Sequence, residues 1–250
     1  MSIFISEDVG PKTLVVFSGG FDSTSLLVEE VAHTQNSAKR IVALTFNYGQ
    51  RHHKEIQVAQ DICEVLKVPH LIIDISNNIF DASLSALLQN SSDVIHHKKY
   101  AQFGTAERDR FGAVNTSVPL RNPLFAIIAA IKAAELHCDC VKMAVHMDDC
   151  MDYAYPDCCP ECLLTLNQVV RVATNNLIRL HFPFLQISKA RIAKNCASDP
   201  AVSRLWYSII GRSWSCYEGG ELHCGQCATC LERRAAFVST GLVDPTKYAH

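Results

Sequence analysis

Thr13-Leu14-Val15-Val16-Phe17-Ser18-Gly19-Gly20-Phe21-Asp22-Ser23-Thr24 passes from an apolar, β-branched run through a glycine turn into the start of an amphipathic stretch. A continuous run such as Thr13 to Phe17 suits a strand buried on both faces of a parallel sheet. Ser23 to His33 reads as a helix, with Leu26, Leu27 and Val31 on one side. In the turn between them, Gly19 and Gly20 let the backbone come close to an anion. Successive amides converge there, and the helix N-terminus adds the positive end of its dipole. Ser18, Ser23 and Thr24 supply hydroxyl donors, while Asp22 can organise the loop or help to hold a metal on phosphates. The turn is not a Walker A loop, because no Gly-Lys-Ser/Thr follows, and it lacks the G-x-G-x-x-G fingerprint of dinucleotide binding.

Outward from this turn the pattern repeats. Ile41 to Phe46 reads as a second strand and His52 to Val68 as a second helix, with Ile56, Ala59, Ile62, Cys63 and Leu66 on its apolar stripe. His70 to Ile75 is a third strand, Asn122 to Leu136 a helix rich in Ala, Ile and Leu, and Val141 to Val145 a fourth strand. Such a βαβαβ series with right-handed crossovers predicts an α/β fold, a doubly wound parallel sheet that binds ligands at the carboxyl ends of its strands. Ser76 to Ser117 (76–117) is too long and polar for an ordinary connection, and reads as a lid or dimer-contact insertion. From Cys158 onward the chain is expected to be mainly helical. We divide it into a nucleotide-binding α/β domain over 1–180 and a small helical C-terminal subdomain over 181–250.

Composition narrows the function classes. The 250 residues are 48% hydrophobic and 19% charged, and 23 basic against 25 acidic residues leave a net charge of -2. That balance lacks the basic footprint of a protein that binds nucleic acid by bulk charge. No apolar run reaches the ~20 residues of a membrane span. Met1 to Asp8 lacks the basic and apolar segments of a secretory signal, so a cytoplasmic location is expected. In that compartment thiols stay reduced. The twelve cysteines are therefore expected to be ligands, reactive groups or small core residues and not disulfides.

Only Cys216, Cys224, Cys227 and Cys230 have ligand spacing, C-x7-C-x2-C-x2-C around a glycine-bearing loop. Four thiolates suit the closed tetrahedral site of structural zinc. The rival is an iron–sulfur cluster, although the C-x3-C-P continuation of ferredoxins is missing. Cys63 reads as core, and Cys138, Cys140 and Cys196 have no polar partner at a recognisable spacing. Cys150, Cys158, Cys159 and Cys162 crowd around Tyr155-Pro156-Asp157-Cys158.

The Ser-Gly-Gly-x-Asp-Ser-Thr turn, following a strand and opening a helix, resembles that of the PP-loop ATP pyrophosphatase superfamily. That resemblance implies pyrophosphate bound in the loop and cleavage between the α and β phosphates of ATP, with an adenylate formed on the acceptor. Thr45-Phe46-Asn47-Tyr48-Gly49-Gln50-Arg51-His52, Val118-Pro119-Leu120-Arg121-Asn122, Tyr155-Pro156-Asp157-Cys158 and Ser215-Cys216-Tyr217 follow in that order. From about Thr13 to Tyr248, the set resembles the 7-cyano-7-deazaguanine synthase (QueC) family of queuosine biosynthesis. The resemblance implies adenylation of the 7-carboxy-7-deazaguanine carboxylate, displacement of AMP by ammonia, a second adenylation on the amide and elimination to the nitrile. It implies ATP and Mg²⁺, a structural Zn²⁺ and a homodimer. It assigns pyrophosphate to Ser18, Gly19, Gly20, Asp22, Ser23 and Thr24, and the metal to Cys216, Cys224, Cys227 and Cys230. Asp22, Ser23, Arg121, Asn122 and Asp157 become the candidate catalytic residues, and Tyr48, Gln50 and Arg51 are placed to meet nucleotide or deazaguanine.

Three features depart from the family pattern. The acidic loop His146 to Ala154 looks about two residues longer, Cys159 replaces a basic residue, and Leu120 stands where glycine or asparagine is common. They motivate a second reading, a QueC-like paralogue of anti-phage defence that transfers the activated carboxylate to another amine, such as a protein N-terminus. A third, tRNA-modifying PP-loop enzyme would want a basic surface, which the net charge of -2 opposes.

Overall fold

β1 (Thr13–Val16) lies in the middle of a five-stranded sheet of order β3-β2-β1-β4-β5, in which every pairing is parallel. The computed structural model describes residues 12–34, 38–77, 79–151 and 154–250. β2 (Ile41–Asn47) pairs with β1 in the register Thr13↔Ile41 to Val16↔Leu44, and β3 (His70–Asp74) continues the sheet on that side. β4 (Cys140–Lys142) pairs with the other edge of β1, and β5 (Arg179–His181) closes the order. The doubly wound parallel sheet expected from the sequence is therefore observed. No helix among the described residues is long and apolar enough to cross a membrane.

Strand alternation divides the core. Leu14 and Leu44 face α3 (Arg121–Glu135) and α5 (Pro160–Ala173), packing with Ala126, Ala129 and Leu163. Val15 and Ala43 face α1 (Phe21–His33) and α2 (Lys54–Leu66), with Leu27, Ile62 and Cys63. Side chains on both faces are covered, which is why β1 and β2 read as uninterrupted apolar runs. Cys63 is a core residue, as its place on the apolar stripe suggested.

Three expectations are corrected. β5 was not anticipated, because the chain after Cys158 reads as helical; yet Ile178-Arg179-Leu180-His181-Phe182 alternates apolar and polar residues, the period of a half-buried strand. The boundary after residue 180 consequently falls inside a strand. α6 (Lys189–Ser198), α7 (Ser203–Ile209) and α8 (Ala228–Thr240) do not build a separate core, for Ile192, Trp206 and Phe237 pack with Phe17 and Phe21 against the sheet. The thiols are also not all free: Cys150 at the end of α4 (Met147–Cys150) and Cys159 at the start of α5 form a disulfide. Their elements bring the two Cα atoms to 4.9 Å, a proximity that cysteine spacing alone does not reveal.

The 76–117 segment is tied into the molecule. Leu87, Tyr100, Phe103 and Val114 join the core on the α3 side, and Leu87 reaches the cavity described below. Its backbone follows short helical turns at Ala82–Leu84, Tyr100–Gln102 and Thr105–Glu107.

Candidate functional site: a cavity at the carboxyl ends of β1, β2 and β4

The order 3-2-1-4-5 reverses direction between β1 and β4, and parallel sheets open a crevice at such a switch point. A cavity of about 230 Å³ lies there, lined at one end by Ser18, Gly20, Asp22, Ser23 and Lys189 and at the other by Phe46, Tyr48, Arg121, Phe125 and Tyr217.

The first end is built for an anion. Gly20 is the N-cap of α1, and among the described residues no side chain caps that helix, which leaves its first amides for a ligand. The Ser18 and Ser23 hydroxyls stand 3.1 Å apart, Ser18 N–H donates to Ser23 Oγ at 3.2 Å, and Gly20 N–H donates to Ser18 Oγ at 3.2 Å. Gly19 serves the loop differently. Its φ is +78°, and a Cβ there would lie 2.9 Å from the Glu55 carbonyl oxygen and 3.0 Å from Ala59 N, so its role is to let the loop rest on α2. Thr24 is fully buried inside α1 and does not face the cavity.

Asp22 sits among charges from three elements. Lys189 Nζ lies 3.4 Å from Asp22 Oδ2 and 3.1 Å from Glu232 Oε2, and His146 Nε2 lies 3.5 Å from both Asp22 and Asp149. Burial disfavours the Asp22 anion, but Lys189 and His146 outweigh it and bring the carboxyl down to about 2. Burial likewise opposes the His146 cation, and Asp149 and Asp22 overcome it, holding the ring up to about 9. Asp22 Oδ1 remains buried without a hydrogen-bond partner.

The other end is aromatic. Phe46 and Phe125 stack at 4.2 Å, Tyr48 tilts against Phe125, and Arg121 Nη1 donates to the Tyr48 hydroxyl at 3.2 Å. Burial pushes the Tyr48 phenol up to about 12. Asn122 is fixed by its neighbours: Asp157 Oδ2 accepts from its backbone N–H at 3.0 Å, and its Nδ2 donates to Cys158 Sγ at 3.0 Å. Asp157 thus holds the start of α3 and does not itself line the cavity, whereas Cys158 does. Tyr100, Tyr155 and Tyr217 bring their hydroxyls within 3.3 Å of one another, and Thr116 joins them at 2.9 Å from Tyr155.

Two expected contacts are corrected. The Gln50 side chain is fully buried, donating to Phe46 O and Glu55 Oε1 and accepting from Tyr48 N–H, so it orients the wall. Arg51 turns toward the 76–117 segment, where Nη2 donates to the Ser91 and Asp93 carbonyls.

Cys216, Cys224, Cys227 and Cys230 converge, all four sulfurs lying within 4.8 Å of one another. Tetrahedral zinc with bonds of about 2.3 Å requires sulfurs roughly 3.8 Å apart, a spacing this cluster accommodates. Backbone N–H groups donate to the sulfurs, from Cys224 to Cys216 Sγ at 3.3 Å and from Cys227 to Cys224 Sγ at 3.2 Å, as thiolate ligands need. The knot also shapes the cavity, because Trp214, Ser215, Tyr217 and Thr229 all line it. Trp214 N–H donates to the Gly19 carbonyl at 2.9 Å, joining the knot to the phosphate loop.

Residues 12–241 match a profile described as "Queuosine biosynthesis protein QueC". The chain belongs to the QueC family. It is 38% identical over 240 residues to a "7-cyano-7-deazaguanine synthase" of Rhizobium etli and to one of Agrobacterium fabrum, covering 95% of this chain and 92% of each relative. A "7-cyano-7-deazaguanine synthase 2" of Colwellia psychrerythraea is 34% identical over 95% of this chain and 99% of its own. Among solved structures, a U34-tRNA thiolase of Methanococcus maripaludis with a [4Fe-4S] cluster aligns over 96% of this chain and 74% of its own, at 14% identity and a TM-score of 0.44. So distant a likeness adds nothing to the family assignment.

Within the QueC frame, the departures acquire a physical setting. Leu120 has φ +59°, the left-handed region that favours glycine or asparagine, and its side chain is 69% exposed. Cys159 is half of the disulfide that ties the acidic loop to α5; Asp152 and Tyr153 of that loop lie outside the described residues. Lys189, His146, Glu55 and the tyrosine cluster were missed in the sequence. Ser188-Lys189 does carry a signal, since Ser188 caps α6 and places Lys189 in the first turn of that helix, but only the fold aims it at Asp22.

Proposed function

We propose that this chain converts 7-carboxy-7-deazaguanine, ATP and ammonia into 7-cyano-7-deazaguanine. The observation that carries the reading is a single cavity with a phosphate loop at one end and a box for a flat heterocycle at the other. The names of the QueC relatives supply the substrate class.

With the triphosphate on Ser18, Gly20 and Ser23, a carboxylate oxygen of the substrate attacks the α-phosphorus, and pyrophosphate departs on the loop. Lys189, and Arg121 at the far end, are the cavity cations that offset the charge built up on phosphate and carboxylate. Ammonia then attacks the acyl carbon, the carbon–oxygen bond breaks, and AMP leaves. The amide oxygen attacks a second ATP, and loss of AMP and the remaining N–H protons yields the nitrile. Phe46, Tyr48 and Phe125 offer ring faces to the deazaguanine, with the tyrosine hydroxyls and Arg121 as polar partners at its edge. Asn122, locked by Asp157 and Cys158, presents its remaining amide oxygen as an acceptor. Mg²⁺ entering with ATP would meet Asp22, whose Oδ1 lacks a partner, and would neutralise phosphate charge there. Zn²⁺ on the four cysteines would hold the loop bearing Trp214, Ser215 and Tyr217.

The test uses substrate carrying ¹⁸O in both carboxylate positions. Each adenylation should move one labelled oxygen into AMP, so the nitrile should form with two singly labelled AMP. Unlabelled AMP would refute acyl activation. Formation of an amide to another amine in place of the nitrile would favour the paralogue reading.

A further inference from the structure

Three carboxylates line the cavity, and among the described residues one of them, Asp22, has a lysine at ion-pair distance. Asp22 is paired with Lys189 and His146, and Asp149 with His146, whose protonated form the same carboxylates favour. Glu55 differs. Among the described residues no lysine or arginine pairs with it; Gln50 Nε2 donates to its Oε1 at 3.0 Å, and His52 Nε2 lies 3.2 Å from its Oε2. Gln50 is fully buried and His52 is 4% exposed, so both sides of the carboxylate are held in place, while Glu55 itself opens to the cavity. His52 Nδ1 is buried and unpartnered, so the ring is committed to Glu55 through its other nitrogen alone.

A first-turn position in α2 accounts for an acidic residue as such, because the helix dipole favours one there. It does not account for two buried side chains turned onto that carboxylate. Nor does it explain why that carboxylate lines the same cavity as a loop that must accept polyphosphate. A carboxylate so held, with one face open to the cavity, can take a small cation there.

We propose that Glu55 is the ammonium-binding group, a subsite for the nitrogen donor. This rests on the reaction proposed above. Ammonium matches the site because the carboxylate keeps outward lone pairs for a small, hydrogen-bond-donating cation. A magnesium ion would instead demand octahedral oxygen ligands and retain most of its waters. Once docked, the ammonium gives one proton to cavity water, and the ammonia left behind keeps an N–H on Glu55. That hydrogen bond turns the nitrogen lone pair away from the carboxylate and into the cavity, where the adenylated carbon lies. The carbon–nitrogen bond forms, the bond from that carbon to the AMP oxygen breaks, AMP departs with the electron pair, and the surplus proton on nitrogen passes to water. Gln50 and His52 are positioning residues, acting through Glu55.

The experiment is steady-state kinetics of the full-length protein and its Glu55→Gln variant, with ammonium and, separately, hydroxylamine as nitrogen donor. Hydroxylamine is uncharged near pH 8 and has no need of a cation subsite. The expected result is an ammonium KM raised about 10- to 100-fold, the span of one lost charge-assisted hydrogen bond. The KM values for ATP, Mg²⁺ and the deazaguanine acid should stay near wild type, as should hydroxamate formation and ATP–pyrophosphate exchange. Glu55→Asp, which keeps the charge with a shorter reach, should recover part of the ammonium KM. An unchanged ammonium KM would overturn the assignment. So would an equal loss with hydroxylamine, or a raised Mg²⁺ requirement in Glu55→Gln, or no recovery in Glu55→Asp. If the wild-type protein released no AMP from the acid with either donor, the reaction reading would fall, and the subsite with it.

Discussion

Gly19 and Leu120 both occupy the left-handed region of backbone space, with φ of +78° and +59°. At Gly19 the lack of a side chain is also a steric need, since a Cβ would press on the α2 backbone. Gly19→Ala should therefore cost about 1–3 kcal/mol in denaturant unfolding and raise the KM for ATP. At Leu120 the space is open but the residue is strained, so Leu120→Gly or Leu120→Asn should stabilise the protein by about 1 kcal/mol, read as a higher unfolding midpoint. Asp22 and His146 set a pH dependence. The stability that His146 gains from its carboxylates is fully present below its ordinary value of 6.5 and is lost as pH rises through about 9. That of Asp22 is present above 3.8 and lost as pH falls through about 2. The thermal unfolding temperature of the wild type should thus fall between pH 6.5 and 9, and His146→Gln should remove that part of the decline. An identical decline in the variant would contradict the pairing.

At the scale of elements, the phosphate loop was legible because strand, turn and helix follow one another in the chain. Ser18, Gly20, Asp22 and Ser23 all reach the cavity. Lys189 and His146 were not legible, since their contact with Asp22 depends on where α6 and the end of β4 come to rest. Gln50 and Arg51 share a motif with Tyr48, yet only Tyr48 faces the cavity, because the turn after β2 sends Gln50 inward and Arg51 toward the 76–117 segment. The cysteine knot was legible from its spacing, but its contribution of Tyr217 and Trp214 to the cavity wall was not. That contribution has a consequence for the metal. Cys227→Ser should lose the one bound ion per chain by elemental analysis, lower the unfolding temperature, and also reduce AMP release, because the wall moves with the knot. Iron in place of zinc in the wild-type protein would contradict the zinc assignment.

Across the whole molecule, the alternation of apolar runs and helical stripes was enough for a doubly wound parallel sheet and four of its strands, but not for β5 or for the strand order that sets the switch point. The C-terminal helices were legible as helices but not as a covering layer of the same sheet, for Trp206 and Phe237 pack against residues almost the whole chain away in sequence. This arrangement lets a C-terminal knot and an N-terminal phosphate loop enclose one cavity. The central claim is that the cavity takes a carboxylic acid to a nitrile in two adenylations. Its most direct test is incubation with 7-carboxy-7-deazaguanine, ATP, Mg²⁺ and ammonium, followed by mass spectrometry of products against time. The expected result is 7-cyano-7-deazaguanine with two AMP per nitrile. Accumulation of the adenylate or the amide, with no nitrile formed, would contradict it.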